Sequence, residues 1–166
     1  MNLINVDVQN PNFDDNVGRA LERLSREEDV EYSLEKSDIQ RIHEIMIEKF
    51  GGEHGVRDIK LFESVCVTPY QSVFGTDLCP TIFDKAAKYL YDFANYQVFV
   101  DGNKRTGLAV CTTLLDLNGY TLEMTSDELY RLVMDVANKR IEMEDVTSTI
   151  KTRSIFKEDK EYERDY

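Results

Sequence analysis

Two strongly apolar stretches, running from Ile82 to Ala94 and from Lys104 to Asn118, are separated by a short turn crowded with polar and charged groups: Gln97-Val98-Phe99-Val100-Asp101-Gly102-Asn103-Lys104-Arg105-Thr106. In the first stretch Ile82, Phe83, Ala86, Ala87, Leu90, Phe93 and Ala94 recur at helical spacing and give a wide apolar face, with Thr81 after Pro80 as its cap. In the second, Leu108, Cys111, Leu114 and Leu115 point one way and Gly119 marks the stop. Two core helices joined through a charged turn restrict the chain to a helical bundle whose second core helix begins at a cluster of ionic groups. A helix start presents unpaired N–H groups and a partial positive charge, and glycine lets backbone approach a ligand closely, so Gly102 and the amides after it would suit a phosphate. Lys104 and Arg105 add formal charge, and Asp101 would suit a magnesium ion held between phosphates. On spacing alone, a capped helix carrying solvated Lys104 and Arg105 is the more ordinary reading.

The remaining elements read as helices too. Ser37 and Gln40 form a capping box ahead of Ile39, Ile42, His43, Met46 and Phe50, and Gly51-Gly52 ends that helix. Asp58 caps a short helix through Leu61, Phe62 and Val65, which Pro69 terminates. Thr68–Pro80 has no helical period and reads as a loop or hairpin. Thr125 and Glu128 open a helix through Leu129, Val133, Val136 and Ala137, and Val146–Ile150 belongs to a last one. The expected class is all-α, a helical bundle with a short flap or β-hairpin. Residues 1–36 read as a charged extension with one helix through Val17, Ala20, Leu21 and Leu24, residues 37–150 as the core, and residues 151–166 as a charged tail or frayed helix.

With 32 acidic against 20 basic side chains, the net charge of -12 argues against general attraction to nucleic acid or anionic lipid. Cys66, Cys79 and Cys111 have neither metal-site nor redox-pair spacing and read as reduced core thiols. No run approaches the roughly 18 apolar residues of a membrane span, and the polar start has no signal-peptide character, so a cytoplasmic location is expected.

The charged turn resembles the Fic/Doc motif in its Doc-branch form, His-x-Phe-x-Asp-x-Asn-Lys-Arg. Phe99, Asp101, Gly102, Asn103, Lys104 and Arg105 match it. Further likeness runs in order through Phe50-Gly51-Gly52, Gly55-Val56-Arg57-Asp58, Leu61, Glu63, Ser64, then Pro69–Gly75, Leu78, Pro80-Thr81, Phe83, Lys85-Ala86-Ala87 and Leu117-Asn118-Gly119-Tyr120. Lys104 where nucleotide-transferring Fic enzymes have glycine, and Leu108 where they have a second arginine, place the likeness with Doc. The resemblance implies a protein phosphotransferase, the toxin of a toxin–antitoxin module. It would move phosphate from a nucleoside triphosphate such as ATP, with magnesium, to a hydroxyl on a target protein such as elongation factor Tu. It assigns Asp101 to the magnesium ion, Gly102, Asn103, Lys104 and Arg105 to the phosphates, and Phe99 to packing. Val67, Thr68, Pro69, Tyr70, Gln71, Ser72, Val73 and Phe74 resemble the flap that docks a target segment by strand pairing. A separate antitoxin laid in a groove is the implied partner. His43 corresponds to a family position on the first helix and reads as a core histidine; His54 reads as exposed.

Gln97 departs from the pattern. The motif histidine takes the proton of the attacking hydroxyl, and an amide side chain, which donates and accepts hydrogen bonds, has no basic site near neutral pH. Loss of a positioned base costs about 10²–10⁴ in rate, although a dissociative phosphoryl transfer leans more on positioning and charge. Three readings follow: an active toxin disarmed by a His-to-Gln change, a pseudoenzyme that keeps the phosphate nest for binding, or an enzyme using Asp101 or substrate phosphate as base.

Overall fold

In the computed structural model, every described helix but one starts at a side-chain cap or a reciprocal capping box. The structure describes residues 30–157. Backbone contacts divide the chain into Met1–Glu31 and Tyr32–Tyr166, and the architecture below is that of the second unit. Among the described residues there are six α-helices: α1 (Lys36–Phe50), α2 (Ile59–Val67), α3 (Ile82–Asn95), α4 (Asn103–Leu117), α5 (Ser126–Ala137) and α6 (Met143–Arg153). Asp58 accepts from the Leu61 amide at 3.0 Å, Thr81 and Asp84 bond reciprocally, and so do Thr125 and Glu128. The box at the start of α1 is Glu35 with Asp38, two residues before the expected Ser37 and Gln40. Helix α4 is the exception: Gly102 precedes it in the left-handed region at φ 74°, with no side-chain cap.

Helices α3 and α4 form the centre. Tyr89, Leu90 and Phe93 of α3 and Val110, Cys111, Leu114 and Leu115 of α4 are fully buried. Close approach of these two helices depends on Gly107, where a Cβ would come within 2.9 Å of the Phe93 Cβ and 3.3 Å of the Leu90 carbonyl oxygen. Around the pair, α2 contributes Phe62 and Val65, α5 contributes Leu132, Val133 and Val136, and α6 contributes Val146 and Ile150. All three cysteines are free and buried, and burial pushes the Cys66 thiol up to about 11 and that of Cys111 to about 12. They therefore behave as core groups with little thiolate at neutral pH.

Two small antiparallel ribbons complete the fold, which is the helical class expected. After a 3-10 turn at Thr68–Tyr70, β1 (Ser72–Val73) pairs with β2 (Thr76–Asp77). The hairpin expected within Thr68–Pro80 is thus present, and Phe74 (φ 50°) and Gly75 (φ 76°) form its two-residue tip. The second ribbon pairs β3 (Tyr120–Leu122) with β4 (Ser154–Phe156), in the register Tyr120 with Phe156 and Leu122 with Ser154. Lys151–Arg153 therefore finish α6 and the next three residues form a strand, whereas a charged tail or frayed helix was expected over 151–166. Arg153 locks this end by donating to both carboxylate oxygens of Glu128 at 2.9 Å, and that fork together with the Thr125 amide pulls the Glu128 carboxyl down to about 2. The helix expected through Val17, Ala20, Leu21 and Leu24 and the charged residues 158–166 lie outside the described residues. Among the described residues, no helix is long and apolar enough to cross a membrane.

Gly107→Val is expected to force α3 and α4 apart and destabilise the fold by about 1–3 kcal/mol, the range of overpacked cores. The check is the urea midpoint at unchanged slope; a midpoint equal to that of the parent chain would refute the close approach.

Candidate functional site

Residues 97–106 leave α3, cross the core once and enter α4, and the crossing residue is Phe99. Its fully buried ring stacks nearly parallel to His43 of α1 at 3.8 Å between centroids, faces Phe93 of α3 at 5.6 Å and meets Phe62 of α2 at 5.7 Å. Both polar atoms of the Asn103 side chain bond the Phe99 backbone, Oδ1 accepting from N–H at 2.8 Å and Nδ2 donating to the carbonyl at 3.0 Å. On the outer side the segment after α1 runs against this turn: Arg57 N–H donates to the Val98 carbonyl at 2.8 Å and Val100 N–H to that of Gly55 at 3.0 Å. The turn is pinned at three consecutive residues by groups from elsewhere in the chain.

Its charged groups sit beyond the peg. Asp101 Oδ1 accepts from the Gly102 amide at 2.7 Å and lies 4.0 Å from Arg105 Nη2. Oδ2 lies 3.4 Å from the Glu53 amide. The Arg105 guanidinium carbon stands 6.0 Å from the centre of the Phe50 ring, an aromatic rest at the end of α1. Among the described residues no side chain caps α4, so the Asn103 and Lys104 amides at its start are suited to an external acceptor.

A cleft of about 530 Å³ opens at this point. That is the size of an ordinary small-molecule site. Gln97, Asp101, Gly102, Asn103, Lys104 and Arg105 all line it, so the sequence-derived phosphate and base positions converge on one cavity. Its opposite wall is apolar: Leu108 of α4 with Leu129, Tyr130, Val133 and Met134 of α5. The expected flap residues Val67, Thr68, Pro69, Tyr70, Gln71, Ser72, Val73 and Phe74 do not line it. Pro69 is buried, whereas Gln71 through Phe74 are exposed and Phe74 projects fully into solvent. The α5 wall was not foreseen, since Val133 was read as core and Tyr130 was passed over. Its signal was Tyr130 itself, an aromatic on the otherwise polar face of an amphipathic helix, and 66% exposed.

His43 is 2% exposed, as a core histidine should be, but only half its hydrogen-bonding capacity is used. Nδ1 lies 3.1 Å from the Thr106 hydroxyl oxygen, and Nε2 has no partner among the described residues. Burial holds the imidazole below its ordinary value, helped by the nearby His54 and by Arg105 and opposed by Glu44 and Asp101. His54 itself is exposed.

The donor set bears on which metal would fit. Among the described residues, no group of three or more His, Cys, Asp or Glu is arranged to hold an ion by protein ligands alone. One half-exposed carboxylate beside an anion nest fits magnesium, which takes one or two carboxylates and completes its shell with phosphate oxygens and water.

The model of the Fic/DOC family matches residues 33–115, half of the chain. The chain belongs to the Fic/DOC family. It is also similar to the Toxin Doc of Mycolicibacterium smegmatis, at 35% identity over 103 residues that cover 61% of this chain and 79% of that protein. Membership of the Doc branch, read above from Lys104 and Leu108, agrees with that relative. The family match ends within α4 and leaves α5, which supplies the apolar wall of the cleft, outside it.

His43 gives the site a pH signature. A neutral buried imidazole binds fewer protons than the unfolded chain, whose histidine titrates near 6.5, so the stability tied to it is full above that value and is lost as pH falls. Unfolding by urea between pH 7 and pH 5 is expected to show a shallower loss of stability in His43→Gln than in the parent chain. Parallel curves would contradict the neutral state.

Proposed function

We propose that this protein is a Doc-type toxin scaffold of a toxin–antitoxin pair, which holds a nucleoside triphosphate with its phosphates on the start of α4 and presents the terminal phosphate to a hydroxyl on a target protein. The observation that carries this reading is the uncapped N-terminus of α4 opening, with Asp101, Lys104 and Arg105, into a cleft of ligand size. ATP is the natural nucleotide and magnesium its companion ion, which when bound neutralises phosphate charge. Arg105 grips two phosphate oxygens, Lys104 adds a point charge, the amides of Asn103 and Lys104 supply the nest, and Gly102, whose own amide donates to Asp101, lets the phosphate approach closely. The Asn103 side chain is spent on the Phe99 backbone, so its part is to shape the loop while its amide serves the ligand. The apolar wall of α5, with Tyr130 at its rim, takes the base by stacking and burial. The hairpin with Phe74 at its tip offers free strand edges to a target segment, an elongation factor such as elongation factor Tu by family likeness.

Gln97 stands at the mouth of the cleft in the place of the family's base. Its amide orients an incoming hydroxyl without taking the proton, so transfer is slow by about 10²–10⁴. The same exposed, non-basic side chain favours a second reading, a pseudoenzyme in which nucleotide or antitoxin binding is the whole function. A cytoplasmic site of action suits either.

Calorimetry with ATP and magnesium is expected to show binding that falls at least tenfold in Arg105→Ala and in Tyr130→Ala, the latter with no effect on inorganic phosphate. Gln97→His is expected to gain phosphotransfer or growth arrest on expression. Binding without such a gain would leave the pseudoenzyme, and no binding by the parent chain would reject both.

A further inference from the structure

We propose that Gly52, in the turn after α1, is a positioning residue that seats the Asp101 carboxylate facing the bound phosphates and their divalent cation. This rests on the reading of Asp101 given above, and it adds to the site a residue of a different segment.

The turn and the carboxylate share one small space. A Cβ at Gly52 would lie 2.5 Å from Asp101 Oδ2, 3.0 Å from its Cγ and 3.1 Å from Ile47 Cδ1. No side chain fits there unless the carboxylate moves. Asp101 Oδ1 is already taken by the Gly102 amide at 2.7 Å, and Oδ2 has the Glu53 amide 3.4 Å away. The carboxylate is thus held between two backbone segments, although its side chain is 49% exposed. Displacing Oδ2 rotates the plane that both oxygens share and breaks the bond to Gly102.

The turn is stiff enough to serve as a seat. Upstream, the Gly51 amide closes α1 on the Ile47 carbonyl at 2.8 Å. Downstream, Gly55 and Arg57 are tied to Val100 and Val98. Beneath it lies Ile47, 3% exposed, whose Cδ1 would also stand 2.9 Å from a Cβ on Gly102. One methyl group is therefore the keel for two glycine turns, one on either side of Asp101. At φ 121° Gly52 also adopts a backbone conformation that side chains resist. A substitution there carries costs of two separable kinds: backbone strain and the close approach to Ile47 Cδ1, both indifferent to Asp101, and the clash with the carboxylate, which needs it.

The test uses the full chain with Gly52→Ala, Asp101→Ala and the double variant, each unfolded in urea and titrated with ATP in magnesium and in EDTA. Gly52→Ala is expected to lower the unfolding midpoint in the parent background and much less when Asp101 is already alanine. In magnesium it should lose about 10–100-fold of the metal-dependent affinity, matching Asp101→Ala, while in EDTA both stay within about twofold of the parent. Equal midpoint shifts in both backgrounds, or magnesium-dependent affinity that survives Gly52→Ala, would overturn the seat. If Gly52→Ala alone does not fold, recovery on adding Asp101→Ala supports the seat and failure to recover overturns it. A parent chain that binds no ATP rejects the nucleotide reading, and the unfolding cycle still decides the seat.

Discussion

The buried ring of Phe99 is the constraint on which the site depends. A turn carrying Asp101, Lys104 and Arg105 would by itself sample many conformations, since ionic side chains prefer water and gain little from any one arrangement. Packing between His43 and Phe93 removes that freedom, because a fully buried phenylalanine contributes about 1.5–3 kcal/mol that is lost if the turn swings out. Asn103 then makes the backbone on either side of the ring follow it. The charged groups beyond the peg are therefore fixed relative to α1, α2 and α3 at once. Electrostatic sites work best when their dipoles are arranged before the ligand comes.

How far the sequence revealed this differs by element. Helices α2, α3 and α5 were legible down to their caps, because Asp58, Thr81 and Thr125 act on residues three positions away and need no tertiary context. The start of α1 lies two residues before its expected Ser37–Gln40 box, because Glu35 and Asp38 bond reciprocally across the first turn instead. Strand β4 was missed because it exists only through its partner β3, and a three-residue strand has no period to detect. Its anchors, the Arg153–Glu128 fork and the Tyr120–Phe156 contact, join residues far apart in sequence.

The candidate site divides along the same line. Gln97 to Arg105 could be read as a unit because one contiguous stretch carries the nest and its charges. The rest of the cleft is assembled across distance: α5 supplies an apolar wall, and Ile47 of α1 and Gly52 just after it border Asp101 and Gly102, about fifty positions on. A glycine pair after a helix reads locally as a stop signal, which it is, since the Gly51 amide does close α1. That Gly52 also makes room for a carboxylate is invisible until the two segments are seen together.

Five of the six described helices have a side-chain cap or capping box at their start, and at the opening amides of α4 no described side chain takes that place. The folded form alone assembles these amides, so any anion that lodges on them shifts the folding equilibrium as well as occupying a cavity. At a hundredfold excess over its dissociation constant such a solute adds about 2.7 kcal/mol to the native state. Were phosphate to lodge there, buffer composition would enter this molecule's thermodynamic state, and phosphate-rich and phosphate-free solutions would differ in melting temperature.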